Sequence, residues 1–294
     1  MKQTDKLGRA TFYHIAPVAR VRLTEREIRW LKHIERHGPQ SSQYLFELTC
    51  DTHRCKDTAL RAMQKLRASS YLRLPSQQRA TERAECKPYI YDLGPKGLDY
   101  LEELGIKETT LRPTGHWWHG YMTSCVTSAI DIAAKRQGVG YIPGHVILEK
   151  KNAPLAIPTS SGKLIPDQLF ALDYGGRFRA FALEVDRGTE PQTSAAARKS
   201  YARSISQYAE VIEQGLYHEH YGLKANLLVL LVFTSNKRHI EFLNLIRPYS
   251  ERVRQSVLTQ SANQSGIMSH FDSECYLRPW QRTGFSSMTI HQEN

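Results

Sequence analysis

The sequence predicts an α/β protein, α+β overall, in which a small helical domain precedes a larger domain built on a mixed sheet flanked by helices. Three observations predict this. The first hundred residues contain three amphipathic helical segments and then two short strands. The apolar stretch LLVLLVF at 227–233 is typical of a strand buried on both faces. A long helical segment precedes that stretch, which indicates a helical crossover to the earlier strands.

Composition narrows the class of protein. The chain has 294 residues and a formal net charge of +11, and residues 1–90 hold 18 Lys/Arg against 9 Asp/Glu. This excess favours a polyanionic partner. The longest apolar stretch is too short to span a bilayer, and the first residues lack the apolar segment of a secretory signal. Five cysteines without CxxC spacing indicate neither a disulfide framework nor a zinc module, so we expect free thiols in the cytoplasm.

The first domain is predicted to be a winged helix-turn-helix. Its first helix, LTEREIRWLKHIERHG, begins at Thr24 with Glu27 at capping-box spacing and ends at Gly38-Pro39. A short helix at 41–49 and a third helix at 53–72 follow. The strand YLRLP, a polar tip and the returning strand PYIYDLG would form the wing. In this fold the third helix enters the major groove.

Cations concentrate on the third helix and on the tip of the predicted wing. This placement indicates contacts with DNA bases and phosphates, although a solvated face or a protein-interaction module would carry similar charges. The candidate DNA-binding residues are Arg54, Lys56, Arg61, Gln64, Lys65 and Arg67 on the helix, and Arg79, Arg83 and Lys87 on the wing.

We expect a first domain at 1–108, a linker at 109–115 and a second domain at 116–294. The linker lies in the polar, proline-containing stretch KETTLRPTG. The second domain reads as a helix, three strands, a helix, a strand and a helix, with one strand over VGYIPGHVILEKK and a single helix over NKRHIEFLNLIRPYSERVRQSV. This is the core order of the restriction-endonuclease-like, or PD-(D/E)XK, nucleases. The polar tail after about residue 260 is interpreted as a short cap or a partner-binding extension.

Three acids mark a candidate metal site in this domain. Asp167 lies on the second strand, in GKLIPDQLFAL, and the turn DYGGR leads to the third strand, RFRAFALEV. Strand alternation puts Glu184 and Asp186 on one face. Mg²⁺ or Mn²⁺ would accept these hard oxygen ligands, and His119 on the preceding helix is a further candidate ligand. The alternatives are a surface turn for Asp167, an exposed strand edge for the other two acids and a packed or capping role for the histidine.

The nuclease pattern has a lysine where Asp186 stands. A compensating cation would come from Arg187 or from Lys199, which shares a helix face with Arg203 and Gln207 at i, i+4 and i+8 spacing. A solvated helix face explains that spacing equally well. The candidate catalytic residues are therefore Asp167, Glu184, Asp186 and Lys199.

Several ordered motifs resemble a known family. LTEREIRWLKHIERHG, YDLGPKGLDYL, HWWHGYM, IPDQLFAL and FALEVDRGTE, followed by a tyrosine-bearing helix, resemble the replication-relaxation family over about residues 20–235. That family is similar to the MobC-type plasmid mobilisation relaxases. The resemblance implies a winged helix fused to a PD-(D/E)XK-like domain that acts on plasmid or mobile-element DNA with a divalent metal. It places Asp167 and Glu184 at the metal-binding acids and His119 at the helix histidine of some nuclease branches.

The leading hypothesis is a metal-dependent DNA nickase or relaxase-like endonuclease of a plasmid or other mobile element. Its partners would be double-stranded DNA, nicked or single-stranded at the site, and a protein of a mobilisation, replication or transposition complex, without a membrane. The alternatives are a non-catalytic replication or transcription regulator that retains the nuclease-like fold, and a nuclease subunit that needs a partner. A tyrosine nucleophile is less favoured, because no three-histidine metal cluster accompanies Tyr201 and Tyr208.

Overall fold

The protein forms two compact units. The structure, a computed structural model, describes residues 11–13, 15–18, 21–106, 116–186, 200–262 and 264–292. The first unit is Met1–Thr110 with Met268–Phe271, and the second is Leu111–Ile267 with Asp272–Asn294. Within these described ranges, no helix combines the length and the apolar character that crossing a membrane requires.

The first unit packs helices against a small antiparallel sheet. Trp30, Leu31 and Ile34 of the first helix are buried with Met63 and Leu66 of the third. The predicted capping box is present, since the Thr24 N–H donates to the Glu27 carboxylate at 2.9 Å. The elements are α1 (Glu25–His37), β1 (Gln40–Ser41), α2 (Ser42–Leu48), α3 (Lys56–Ala68), β2 (Leu72–Arg73), α4 (Ser76–Arg79), β3 (Ile90–Leu93) and α5 (Pro95–Glu103).

The small sheet has the order β1-β3-β2, and both pairs are antiparallel. The sequence predicted β2 and β3 as a hairpin, but it did not predict the two-residue strand β1. The connection between β2 and β3, expected as an irregular polar tip, contains α4 and a 3-10 turn at Ala84–Cys86.

The rest of the chain builds a seven-stranded sheet with helices around it. Its helices are α6 (Trp117–Arg136), α7 (Gly144–Glu149), α8 (Tyr201–Glu213), α9 (Leu216–Tyr221), α10 (Asn236–Ile246), α11 (Glu251–Ser256), α12 (Gln264–Ser269) and α13 (Glu274–Leu277). The strands of the large sheet are β4 (Gly140–Pro143), β7 (Gln168–Asp173), β8 (Phe178–Asp186), β9 (Leu227–Phe233), β10 (Val257–Ser261), β11 (Trp280–Arg282) and β12 (Phe285–Met288), and a separate small sheet contains β5 (Ile157–Thr159) and β6 (Gly162–Leu164).

The large sheet is mixed, as the sequence predicted. Its order is β12-β11-β10-β9-β8-β7-β4. Strands β8, β9 and β10 are parallel neighbours, and every other neighbouring pair is antiparallel. The helical connections α8 and α10 join the parallel strands, because a parallel pair cannot be closed by a tight turn. The predicted fold class, a mixed sheet flanked by helices, is therefore confirmed.

Prolines explain two of the boundaries that the sequence analysis placed wrongly. The segment GKLIPDQLFAL, expected to be one strand, divides at Pro166 into β6, which pairs with β5 in a separate two-stranded sheet, and β7. The helix expected over 236–257 divides at Pro248 into α10 and α11. Proline lacks the N–H that either a ladder or a helix needs at these positions.

Two further expectations were wrong. Residues 144–149, expected to continue a strand, form α7, whose Ile147 and Leu148 are buried. The tail, expected to be a cap or an extension, adds β11 and β12 to the sheet beyond β10. Trp280 of β11 is fully buried and anchors this addition.

The packing of α8 on the sheet positions the residues considered next. Tyr208 and Ala209 of α8 belong to one buried cluster with Leu169 of β7 and Ala182 of β8. Since side chains of a strand alternate between faces, Glu184 and Asp186 follow Ala182 on the face that α8 covers. The acids therefore lie under a helix rather than on an open face.

Candidate acidic site

Asp167 and Glu184 lie next to the last residue pair of the neighbouring strands β7 and β8. The paired residues of these strands end at Gln168 opposite Leu183. Asp167 directly precedes this last pair, and its N–H donates to the Leu183 carbonyl at 3.0 Å. Asp167 is 4% exposed and Glu184 is 7% exposed. The hairpin thus brings together the two acids that the sequence analysis placed at the metal, and it does so in a buried position.

Polar neighbours hold both carboxylates. Asp167 accepts the Val185 N–H on Oδ2 at 2.8 Å, and its Oδ1 lies 3.0 Å from His119 Nε2. The Tyr208 hydroxyl donates to Glu184 Oε1 at 2.6 Å. Burial, and then the neighbouring Glu184, raise the pKa of Tyr208 well above its usual value, so the phenol keeps its proton. Each acid is therefore oriented by a donor from a different element.

Asp186 is paired with an arginine that the sequence analysis did not consider. Arg238 of α10 donates from Nε to Asp186 Oδ2 at 2.8 Å and from Nη2 to Oδ1 at 3.2 Å. Its guanidinium carbon lies 5.0 Å from the centre of the Tyr201 ring, and Nε also donates to the Tyr201 hydroxyl at 2.9 Å. Hydrogen bonding and charge from Asp186 raise the pKa of Arg238, although burial alone lowers it. Asp186 is thus the acceptor of a bidentate ion pair.

The tyrosines near the acids are poor nucleophiles. Burial is the largest cause that raises the pKa of Tyr201, and Asp186 raises it further. Tyr208 has a raised pKa for the same two kinds of reason. Because a phenol attacks as the phenolate, this arrangement gives no support to a tyrosine-nucleophile mechanism.

Of the residues predicted to supply or accompany a compensating cation, the structure describes Arg203 and Gln207. Lys199 and Arg187 are outside the described residues. Arg203 donates to the Ser161 carbonyl at 2.8 Å, and Gln207 donates to Thr159 Oγ1 at 3.3 Å. Helix α8 therefore directs two tyrosines, rather than a row of cations, at the acids. Their i, i+7 spacing in the sequence was a usable signal, whereas nothing in the sequence pointed to Arg238.

The donor set suits a hard divalent cation at one pair of acids. Mg²⁺ is usually held by one or two carboxylates together with water and substrate phosphate oxygens. Asp167 and Glu184 can supply the carboxylates. Asp186 fits less well, because Arg238 binds both of its oxygens. Among the residues that the structure describes, no three of Asp167, Glu184, Asp186 and His119 bring ligand atoms within 4.8 Å of one another. The candidate protein ligands are therefore Asp167 and Glu184, and His119 Nε2 lies 3.0 Å from Asp167 Oδ1.

Most candidate DNA-binding side chains of the first unit are exposed. Gln64 is partly buried. Arg67 is partly buried as well, and it donates to the carbonyls of Thr11 at 3.1 Å and Phe12 at 2.7 Å. Burial lowers the pKa of Arg67. The Arg67 side chain therefore links α3 to residues 11–12 by hydrogen bonds and does not point into solvent. The exposed candidates are Arg54, Lys56, Arg61, Lys65, Arg79, Arg83 and Lys87.

The fold and the acidic pair define an α+β protein with two buried carboxylates at the β7–β8 hairpin of a mixed sheet. Residues 31–227 match the family described as replication-relaxation. This match covers more than half of the chain, and the chain therefore belongs to the replication-relaxation family.

No curated protein matches the sequence. Among solved structures, the restriction endonuclease FokI is similar at 11% sequence identity with a TM-score of 0.26. The similarity covers 87% of this chain and 47% of the FokI chain, so this chain spans about half the length of that protein. At this TM-score the likeness is slight.

Proposed function

We propose that this protein is a metal-dependent DNA nickase or relaxase-like endonuclease of a plasmid or other mobile element. The observation that carries the proposal is the buried pair of Asp167 and Glu184 on facing strands. Two carboxylates side by side in a buried position repel each other and lose hydration, so their placement is costly without a compensating cation. Membership of the replication-relaxation family agrees with an action on DNA.

Asp167 and Glu184 would hold Mg²⁺ or Mn²⁺. When bound, such an ion polarises a phosphate and lowers the pKa of an attacking water. The protein's own part is to fix the ligands: the Val185 N–H and His119 orient Asp167, and Tyr208 orients Glu184. Arg238, held beside these acids by Asp186, replaces the lysine of the nuclease pattern as the cation of the site.

The first unit would act as a winged helix-turn-helix that binds DNA. Helix α3 presents Arg61 and Lys65 to solvent, and the connection between β2 and β3 presents Arg79, Arg83 and Lys87. Exposed cations on a helix and on a neighbouring tip match the two contacts of this fold, one in the major groove and one on flanking phosphates. Because the two units are covalently linked, DNA binding by the first unit would raise the local concentration of DNA at the acidic pair of the second.

A second candidate is a non-catalytic DNA-binding regulator of replication or transcription. The observation that favours it is the ion pair of Arg238 with Asp186. A guanidinium that already makes two hydrogen bonds to a carboxylate is less available to bind a phosphate during cleavage. In that case the acidic pair would be a structural or metal-regulated feature.

Nicking of supercoiled plasmid DNA with Mg²⁺ or Mn²⁺ separates the two candidates. We expect wild type to produce open circles and Asp167→Asn to lose this activity. Asp173→Asn is the matched control, because Asp173 ends the strand that Asp167 precedes and its carboxylate accepts the Gly176 N–H of the turn at 2.6 Å. DNA binding by wild type without cleavage on any plasmid tested would instead support the regulator.

A further inference from the structure

A basic cleft lies at the far edge of the large sheet, away from β7 and β8 in the strand order. It has a volume of about 340 Å³ and is lined by the β11–β12 hairpin and by the end of α10. β12 is the last strand of the sheet on this side. The cleft therefore belongs to the tail that the sequence analysis interpreted as a cap or an extension.

The charged side chains that line this cleft are both arginines. Arg247 and Arg282 line it. Arg254 lies alongside, with its guanidinium carbon 5.4 Å from the centre of the Phe285 ring, and Arg282 lies 5.9 Å from the same ring. Gly284 permits this approach, because a Cβ at that position would lie 2.6 Å from Arg254 Nη1. No acidic residue is among the lining residues of the cleft as the structure describes it.

Two buried donors at the cleft have no acceptor among the described residues. They are Arg254 Nε and the Thr283 hydroxyl. A buried polar group without a partner is costly, and in native proteins such a group is usually satisfied by water or a ligand. Arg282 is engaged through Nε alone, which donates to the Ser286 carbonyl at 2.9 Å. The arginines that line the cleft itself, Arg247 and Arg282, suit an incoming group that is rich in acceptor oxygens.

We propose that this cleft binds the phosphate backbone of a nucleic-acid strand. Phosphate matches the planar guanidinium fork and accepts several hydrogen bonds at once. A strand fits better than a lone anion, because Arg247, Arg254 and Arg282 offer several cations around one hairpin and the whole chain carries a net charge of +11. The choice of nucleic acid rests on the proposed function, whereas the residues that line the cleft are different from the acidic pair and from those of α3.

The test introduces one negative charge into the cleft. Ser287 lines the cleft and Ser286, its neighbour on β12, does not. Both are exposed, and successive side chains of a strand point to opposite faces. Ser287→Glu and Ser286→Glu therefore change the net charge equally but place the carboxylate on different faces. Binding of a fluorescent oligonucleotide, single-stranded and duplex, is measured by anisotropy at several salt concentrations with the full chain.

We expect Ser287→Glu to weaken binding several-fold and to make the salt dependence shallower by about one ion, as for the loss of one phosphate contact. Ser286→Glu should bind like wild type. The pair Arg247→Gln with Arg282→Gln should also weaken binding and make the salt dependence shallower, by about two ions. As a control, Lys150→Gln with Lys224→Gln also removes two positive charges, from exposed positions elsewhere in the same unit.

Equal binding by wild type and Ser287→Glu would overturn the proposal. If inorganic phosphate stabilises wild type but not Ser287→Glu, while both bind DNA equally, the cleft is a site for a small anion and the proposal is also wrong. Loss of binding in Ser287→Glu together with an absence of plasmid nicking by wild type supports this inference and contradicts the endonuclease. Absence of all DNA binding by wild type overturns both.

Discussion

The guanidinium of Arg238 binds both carboxylate oxygens of Asp186, at 2.8 Å and 3.2 Å, across 52 residues of sequence. Asp186 is 6% exposed and Arg238 is 21% exposed, so the pair is largely withdrawn from water. Asp186, which occupies the position of the lysine in the nuclease pattern, thus binds the cation Arg238 at the end of β8. In this arrangement Asp186 binds the Arg238 guanidinium, and the proposed metal-binding role is assigned to the other two acids.

Replacing Arg238 by glutamine should destabilise the protein by about 2 kcal/mol. Removing one partner of a buried pair leaves an uncompensated charge, and the partial exposure of Arg238 reduces the usual cost. Urea unfolding measures the change in the free energy of unfolding. Lys237→Gln is the control on the neighbouring residue: its contact with Glu241, at 4.0 Å, is exposed and should contribute less than about 0.5 kcal/mol.

The double variant Asp186→Asn with Arg238→Gln should recover part of this loss. With both charges removed, no buried carboxylate lacks a partner, so we expect a coupling free energy of about 1–2 kcal/mol in the double-mutant cycle. Additive effects of the two single substitutions would show that the ion pair does not form in solution.

Tyr208→Phe should cost more stability than Tyr221→Phe. Both hydroxyls are buried donors with an acceptor at 2.6 Å, but Tyr208 donates to the Glu184 carboxylate and Tyr221 donates to the Leu155 carbonyl. Hydrogen bonds to charged groups contribute more, so we expect losses of about 2 and about 1 kcal/mol in chemical unfolding. An equal loss in the two variants would mean that Glu184 carries no charge in the metal-free protein.

The fold was predictable where periodicity and composition are strong. The buried strand LLVLLVF, the Asp/Gly turn and the long helices could all be read from local sequence, because each depends on residues close together in the chain. That Asp167 and Glu184 lie at adjoining ends of β7 and β8 followed from one further assumption, the pairing of a single hairpin. Local patterns were therefore sufficient to place the two metal-site candidates near each other.

Partners that are distant in sequence could not be predicted. In the sequence, Arg238 looks like any exposed cation in the first turn of a helix. It lies near Asp186 because β9, which precedes α10, pairs in parallel with β8. Arg67 has the same sequence signature as Arg61, yet its guanidinium is bound by the chain at 11–12. The polar strands β11 and β12 lack a strong alternation signal, and they form because β10 offers an edge and Trp280 is buried.

Substitutions on α3 should separate DNA binding from stability. Arg61→Gln with Lys65→Gln removes two exposed charges, so DNA affinity should fall and the salt dependence should become shallower by about two ions, with unfolding unchanged. Arg67→Gln should instead lower the free energy of unfolding by about 1–2 kcal/mol and leave the salt dependence unchanged, because this side chain bonds to carbonyls. Anisotropy titrations and urea unfolding of each variant check this. The reverse pattern would contradict the assignment of α3 to DNA.

Mn²⁺ should raise the unfolding temperature of wild type, and the same metal should distinguish the three acids. A ligand that binds only the folded state stabilises it by about 2.7 kcal/mol at a concentration a hundred times its Kd. Asp167→Asn and Glu184→Gln should abolish this increment, because each removes one of two facing carboxylates. Asp186→Asn should retain it, since that acid is already occupied by Arg238, and Asp173→Asn should behave like wild type. Thermal unfolding at a series of Mn²⁺ concentrations gives the increment for each variant. If Asp186→Asn abolishes the increment as fully as Glu184→Gln does, Arg238 must leave the carboxylate when the metal binds, and the division of roles among the three acids proposed above is wrong.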